Sequence, residues 1–450
     1  MILAKLISTK LFSLKQVIFY TTIFGAGVIL INVTAKLFSL FIEFSFFAYW
    51  PFGIFMPRIP TVTNVMDTFL ALFVFTAVVW NFSKIRSKIS YLYISVIVLI
   101  MLSNLVQGYH EGFVRPVAGG ETKIQNYNEA LNVISTLNFL SNFEDNQPNL
   151  LRHSQNHPPG ATLIYYPAIK LELNPEVISL LILMISAGVS ILALNKLFRK
   201  WFSQEETEYA SFLYFLIPSI QIYYLSSLDA LIASFLLSAL SYFAVDYRFV
   251  SILGAAFSLI IVFSLSFASV FILPVLFGYE FFRHKSIKNS LIILAVMIFF
   301  YIMLYFATGF NYINSFFIAS QLENTHGFLL FYDPVSYVFS RIESILEILI
   351  FFGPFLIIAA VRGLPALKKN HPDLFLLTLL GTGSLMMMFL AGAYRIGESA
   401  RAAMFIYPYL LFPVISHLKE INSEMYERNQ LLALVFVQAL VMQLFGDYFW

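Results

Sequence analysis

Residues 176–195 read EVISLLILMISAGVSILALN, an apolar run whose one charged residue, Glu176, stands at its start. A helix of about 20 apolar residues is long enough to cross the hydrocarbon core of a bilayer. The whole chain has the same character, since 59% of its 450 residues are hydrophobic and 12% are charged, whereas a soluble domain carries about 25% charged residues. The sequence therefore predicts an all-α, polytopic integral membrane protein. The chain contains no cysteine, which excludes disulfides and thiolate chemistry.

Apolar segments of similar length recur along the chain, and we expect about thirteen transmembrane helices. The segment 160–171 is also apolar, but it is too short to span alone, so we expect a half-inserted or juxtamembrane helix there. The first apolar run lacks a convincing cleavage site and is expected to remain as the first helix. The predicted spans are residues 17–45, 63–82, 90–107, 176–195, 208–224, 229–245, 249–265, 267–282, 289–307, 341–361, 373–392, 402–417 and 431–447.

The basic residues predict the orientation of these spans, because cytoplasmic loops are enriched in Lys and Arg. Five basic clusters fall on one side, whereas the loops 108–160, 308–340 and 393–401 fall on the other. The amino terminus is thus predicted to be cytoplasmic. We expect amino-terminal transmembrane helices in 1–107, an outer loop with a short helix in 108–175, and a transmembrane core in 176–450. The basic clusters are Lys5/Lys10/Lys15, Lys84/Arg86/Lys88, Lys196/Arg199/Lys200, Arg283/Lys285/Lys288 and Arg362/Lys368/Lys369.

The polar stretch Tyr109–Gly160 is unusual in so apolar a chain, and loops of this length are usually functional. Glu129 is a candidate general base, since a carboxylate at a water–membrane boundary can deprotonate a hydroxyl nucleophile. The same residue could instead stabilise a helix amino terminus. Glu144 and Asp145 are alternative bases or solvated loop charges. Between these acids an apolar repeat with helical spacing predicts a short amphipathic helix, formed by Leu131, Ile134, Leu137 and Leu140.

The loop ends in Arg152-His153-Ser154-Gln155-Asn156-His157-Pro158-Pro159-Gly160. Proline is tolerated in the first helical turn, so the proline pair predicts a helix start that holds His157 at the membrane surface in a fixed direction. The alternative is a helix start with an incidental histidine. His153 lies four residues before His157, but the prolines make a continuous helix across both unfavourable, so a two-histidine metal site is weakly indicated.

Other outer segments also carry charged residues. Arg395 and Arg401 suit phosphate recognition, because a guanidinium presents a planar fork of donors. The alternative is an Arg401–Glu398 pair that only ties the loop together. Asp229 begins a span and is either a helix cap or a cavity residue. His326 is a further cavity candidate in an aromatic segment, although such aromatics are also typical of a membrane interface.

The order of these motifs resembles the GT-C superfamily of polytopic glycosyltransferases, especially the branch of protein mannosyltransferases and aminoarabinose transferases. Its members have an acidic residue early in a large outer loop and a His-Pro-Pro-Leu-like motif at its end. The resemblance covers about residues 110–450. The chain departs from the family in having Glu for Asp and two additional early spans. The matching segments are Tyr127-Asn128-Glu129-Ala130, His157-Pro158-Pro159-Gly160, Ser227-Leu228-Asp229 and Gly397-Glu398-Ser399-Ala400-Arg401 with Pro408.

The resemblance implies transfer of a sugar from a polyprenyl-phosphate donor to a lipid or glycan acceptor at the outer face of a bacterial plasma membrane. No cofactor and no nucleic-acid partner are predicted, and a divalent metal stays open. The rival predictions are a lipid-linked-sugar flippase or transporter, and an O-antigen-ligase-type enzyme of another fold. The implied site comprises Glu129, Asp145 and His157 as catalytic residues, Arg395, Arg401 and His153 for the donor phosphate, and Asp229, Glu398 and His326 around the cavity.

Overall fold

The computed structural model describes residues 11–39, 56–85, 88–120, 123–246, 248–393 and 398–448. These residues are almost entirely helical, and their one β pairing joins Met56–Pro57 to Gly446–Asp447 in an antiparallel pair. The predicted all-α class is therefore confirmed. The chain forms two compact units. The first unit draws on Met1–Gly108, Trp201–Tyr223 and Val335–Tyr448, and the second unit draws mainly on Tyr109–Lys200 and Tyr224–Pro334.

The first unit contains most of the early and late helices. Its α-helices are Leu14–Ser39, Val62–Trp80, Phe82–Ile85, Ile89–Leu105, Gln204–Leu216, Pro218–Tyr223, Pro334–Phe352 (which starts at the unit boundary), Pro354–Asn370, Pro372–Leu390, Ser399–Ala402, Tyr407–Glu420 and Met425–Phe445, with a 3-10 turn at Met404–Ile406.

The second unit combines long helices with many short ones. Its long helices are Pro175–Phe198, Leu228–Val245, Phe249–Leu265, Leu273–His284, Lys288–Thr308 and Tyr312–Glu323. The short α-helices are Arg115–Ala118, Asn126–Ala130, Thr136–Ser141, Phe143–Asn146, Arg152–Asn156, Gly160–Leu163, Tyr166–Lys170 and Leu329–Tyr332, accompanied by a π-helix at His110–Val114 and 3-10 turns at Gln147–Asn149 and Phe267–Ile272.

Six helices in the described part of the chain are long and apolar enough to cross a membrane, and one bent pair could supply a seventh span. These lengths and compositions support a helical membrane protein. They do not confirm thirteen spans. Three further apolar helices are shorter. The six helices are Val62–Trp80, Pro175–Phe198, Leu228–Val245, Lys288–Thr308, Pro372–Leu390 and Met425–Phe445, and the shorter ones are Leu14–Leu30, Ile89–Leu105 and Phe249–Leu265.

Two of the predicted spans are interrupted in the structure, one at a proline and one at a glycine. The predicted span 208–224 is broken between Leu216 and Pro218, because proline lacks an N–H and clashes with the preceding turn. The side-chain amide of Gln221 donates to the Phe215 carbonyl across this break, at 2.5 Å. A buried break of this kind is tolerated when such side chains satisfy the freed backbone groups.

The second break interrupts the predicted span 341–361 at Gly353, where the chain bends by 96°. Gly353 has φ +98°, and a Cβ there would lie 2.3 Å from the side-chain oxygen of Gln438. Only glycine adopts this conformation readily. The Gln438 amide donates to the Ile350 carbonyl at 2.8 Å, so the same side chain fills the corner and satisfies the end of the first helix.

The predicted amphipathic helix in the polar loop is shorter than expected. It begins at Thr136, because Ser135 caps it by accepting a hydrogen bond from the Asn138 N–H. Leu131 and Ile134 therefore precede the helix, and both are exposed, as is Leu137 within it. Of the four apolar positions, only Leu140 is buried, in a cluster with Phe143 and Phe310. The prediction of a continuous helix across all four was wrong.

Candidate functional site

Glu129 lies in the short helix Asn126–Ala130 of the second unit, and only 8% of the residue is exposed. Its Oε2 accepts a hydrogen bond from the Leu151 N–H at 2.7 Å. Among the described residues, no second hydrogen bond or ion pair reaches this carboxylate. One oxygen is thus anchored by the backbone, while Oε1 has no protein partner in that part of the chain. A carboxylate held in this way keeps a fixed direction and retains an oxygen that can accept a proton.

Glu129 borders a cavity of about 270 Å³ formed within residues 129–150. Apolar side chains line part of it, including Val133 and Phe139. Its polar lining, apart from Glu129, consists of amides. We call this space the asparagine cavity, after Asn132, Asn138, Asn142, Asn146 and Asn149.

A buried polar cluster holds the short helices around Glu129 together. The Ser154 hydroxyl donates to Asn126 Oδ1 at 3.0 Å, and the Thr162 hydroxyl lies 2.9 Å from Ser154. Since the single Ser154 proton is used on Asn126, Thr162 is the donor in the second contact. All three side chains are at least nine-tenths buried. They join the helix of Glu129 to the helices on either side of the His-Pro-Pro motif, and sequence reasoning did not single them out.

The His157-Pro158-Pro159-Gly160 motif docks the end of the loop onto the helix Phe249–Leu265. His157 Nδ1 lies 2.8 Å from the Leu265 carbonyl oxygen, so this nitrogen carries the proton and donates. A Cβ on Gly160 would lie 2.3 Å from the Ser264 carbonyl oxygen, so glycine permits a close backbone approach. This hydrogen bond to backbone fixes the position of the His157 ring, and its predicted place at the membrane surface stays a prediction.

The helix Tyr312–Glu323 is attached to the same loop. Glu144 Oε1 accepts from the Asn311 N–H at 2.6 Å, and the Ser315 hydroxyl donates to Gln147 Oε1 at 3.0 Å. Asn156 also donates to the Glu323 carboxylate. Partial burial raises the pKa of Glu144, an effect that the Asn311 N–H opposes. Glu144 thus has a clear role in joining two segments of the second unit.

The remaining predicted residues of the second unit make contacts of their own. Asp145 is exposed on the helix Phe143–Asn146. The backbone N–H of His153 donates to the Ile124 carbonyl at 3.3 Å. Asp229 accepts a hydrogen bond from the Ser227 hydroxyl at 3.1 Å, and Ser227 is the helix cap. His326 is exposed, with its ring centroid 5.7 Å from that of Tyr332. No hydrogen bond or ion pair joins any of these four to Glu129 among the described residues.

Two predicted residues belong to the described part of the first unit. Arg401 Nη2 lies 3.3 Å from Glu398 Oε2, which is the pairing considered as an alternative from the sequence. Arg395 lies outside the described residues.

The first unit also contains a buried group of ionisable residues that sequence reasoning missed. Glu343 and Glu347 are 0% and 1% exposed, four residues apart on the helix Pro334–Phe352. Glu347 Oε2 accepts from the Ser399 N–H at 3.2 Å. Arg341 Nη1 donates to the carbonyls of Phe389 and Ala393, at 2.5 and 2.8 Å. Three ionisable residues inside an apolar run were visible in the predicted span 341–361, and such residues are functional candidates by default.

The described residues contain no group of three or more His, Cys, Asp or Glu side chains arranged to hold a metal ion. No protein-family profile, characterised protein or solved structure matches this chain.

Proposed function

We propose that the chain is a membrane glycosyltransferase that moves a sugar from a polyprenyl-phosphate donor to a hydroxyl acceptor, with Glu129 as the general base. The observation that carries the proposal is the state of the Glu129 carboxylate. It is nearly buried, it is anchored through Oε2 alone, and it borders a cavity whose other polar groups are amides. Polar groups placed in this way beside a carboxylate suit a substrate rich in hydroxyls.

The proposed step is a single displacement. Glu129 Oε1 accepts the proton of the acceptor hydroxyl, and the acceptor oxygen forms a bond to the anomeric carbon of the donor. The bond from that carbon to the phosphate oxygen breaks, and the lipid phosphate leaves with the electron pair. Attack opposite the leaving group inverts the configuration at the anomeric carbon. An arginine that stabilises the departing phosphate would lower the barrier further.

Substitution of Glu129 by Gln tests the proposal, since it keeps the shape and removes the base. We expect Glu129→Gln to lower transfer by about 100- to 10,000-fold, the usual contribution of a positioned base. The assay is mass spectrometry of lipid-linked and envelope glycans from a deletion strain complemented with each variant. Asp145→Asn is made beside it, because Asp145 is an exposed carboxylate in the same loop and the alternative base; loss of transfer in this variant alone would move the base to Asp145. Normal glycans in the Glu129→Gln strain would contradict the assignment.

Transport of a lipid-linked sugar is the second candidate, and the buried Arg341, Glu343 and Glu347 favour it. Transporters place ionisable residues beside discontinuous membrane helices, and the helix of these residues ends at the 96° bend. The same complementation experiment includes Glu347→Gln in a protein with intact Glu129. If the chain is a transporter, Glu347→Gln abolishes the product and Glu129→Gln does not. If the chain is a transferase with Glu129 as its base, Glu129→Gln abolishes the product and the donor lipid accumulates.

A further inference from the structure

We infer that the asparagine cavity binds a single neutral, hydroxyl-rich sugar ring, and that this ring is the acceptor. The binding of a neutral ring follows from the cavity alone. Its assignment as the acceptor rests on the proposed transferase function.

The charge of the cavity selects against a phosphate. Glu129 is its one ionisable lining residue, and no Lys, Arg or His lines it. A sugar phosphate would place its negative charge close to the Glu129 carboxylate with no cation beside it, which is unfavourable in a partly buried site. The phosphate-linked donor is therefore a poor occupant, and a neutral molecule is a better one.

The polar groups of the cavity match hydroxyls. A side-chain amide offers two N–H donors and one carbonyl acceptor, and a hydroxyl can use both kinds. Asn132, Asn138, Asn146 and Asn149 are exposed at the mouth of the cavity. Among the described residues their side chains make no hydrogen bond to protein, so a ligand that enters from solvent can reach these amides. The Asn142 amide nitrogen donates to the Asn138 carbonyl at 2.9 Å and to the Ser141 hydroxyl at 3.1 Å.

The cavity has the size for one ring and a partly rigid wall. Its volume of about 270 Å³ lies just below that of pockets for drug-sized ligands, which begin at roughly 300 Å³. Val133 and Phe139 give it an apolar surface for the C–H face of a sugar. Phe143, which also lines the cavity, is 1% exposed and packs on Phe310 and Leu140. This packing fixes the backbone between the asparagines before a ligand binds, and preorganisation improves affinity.

The test measures binding to the purified full chain in lipid nanodiscs by saturation-transfer NMR. The probes are neutral methyl hexosides and the corresponding hexose 1-phosphates. We expect a neutral hexoside to bind and the phosphates to bind at least 10-fold more weakly. Asn138→Ala and Asn146→Ala should each weaken hexoside binding about 3- to 10-fold, the effect of one lost hydrogen bond. Asn174→Ala is the control, because Asn174 is exposed, lies outside the cavity and makes no side-chain cap bond.

The outcomes separate this inference from the proposed function. The cavity assignment is overturned if no neutral hexoside binds to the wild-type chain, or if the alanine variants bind it as well as the control while retaining their helical content. It is also overturned if the phosphates bind more tightly than the hexosides. Hexoside binding without any glycan change in the deletion strain would support the site and contradict the transferase. If Asn138→Ala and Asn146→Ala both transfer glycans with an unaltered KM for the acceptor, the transferase function is supported and the cavity is not the acceptor site.

Discussion

Gly160 shows how one missing side chain positions the polar loop. A Cβ at this residue would meet the Ser264 carbonyl oxygen at 2.3 Å, well inside a normal contact, and the obstacle is backbone that cannot rotate away. His157, three residues earlier, donates to the neighbouring Leu265 carbonyl. The two contacts fasten the loop exit to the same helix end. The buried Ser154 and Thr162 hydroxyls then link this exit to the helix that carries Glu129.

We therefore expect Gly160→Ala to destabilise the protein by about 1–3 kcal/mol, the usual penalty for overpacking, and to reduce the proposed glycan transfer. Thermal unfolding in nanodiscs and the complementation assay measure the two effects. Gly383→Ala is the matched control, because a Cβ there meets nothing within 4 Å and the residue lies inside a helix, where alanine is favoured over glycine. Equal stability of the two variants would show that the Gly160 contact is not needed.

In the first unit, Arg58 joins the carboxyl ends of two helices through hydrogen bonds. Its guanidinium donates to the Val106 and Gln107 carbonyls at 2.5 Å each, just beyond the helix Ile89–Leu105. It also donates to the carbonyls of Gln443 and Leu444, at 2.7 and 3.2 Å, in the last turn of Met425–Phe445. Carbonyls at helix carboxyl ends have no intrahelical partner and carry partial negative charge. The Arg58 guanidinium thus satisfies four backbone carbonyls at the carboxyl ends of two helices.

Arg58→Ala should lower the free energy of unfolding by about 3 kcal/mol, because charged hydrogen bonds contribute about 1.5–3 kcal/mol each and several carbonyls would lose their donor. Arg58→Lys should recover only part of this, since an ammonium lacks the planar fork that reaches both helix ends. Unfolding curves in the same nanodiscs provide the measurement. Arg248→Ala, which removes an exposed ion pair with Asp246, should leave the curve unchanged. A lysine variant as stable as wild type would argue against the bridging role.

At the scale of the whole molecule, composition predicted the helical class but not the number of spans. Hydropathy does not show that Pro218 interrupts the helix after Leu216 or that the Gln221 side chain satisfies a freed carbonyl there. It also does not show the 96° bend at Gly353. In the polar loop, the sequence identified Glu129 as a candidate base. It did not identify the asparagine cavity, because residues up to 21 positions apart line that space only after short helices pack. Arg341, Glu343 and Glu347 could have been noticed as charges inside an apolar run.

The orientation predicted from the basic clusters remains a prediction, and the structure offers a sharp way to test it. The helix Lys288–Thr308 has 21 residues and is among those long and apolar enough to cross a membrane. At about 1.5 Å per residue it is roughly 31 Å long. Just beyond its carboxyl end, the Asn311 N–H donates to Glu144 at 2.6 Å. Asp145 and Lys288 therefore lie near opposite ends of one candidate span.

Because the chain has no cysteine, a single introduced thiol reports its own accessibility without background. We expect Asp145→Cys to react with a membrane-impermeant maleimide on intact cells, since the loop is predicted to be outside. Lys288→Cys, exposed at the other helix end, should react only after permeabilisation. Cells carrying the unsubstituted chain provide the blank. The reverse labelling pattern would invert the topology and place Glu129 on the cytoplasmic face, whereas labelling of both thiols on intact cells would mean that Lys288–Thr308 does not span the membrane.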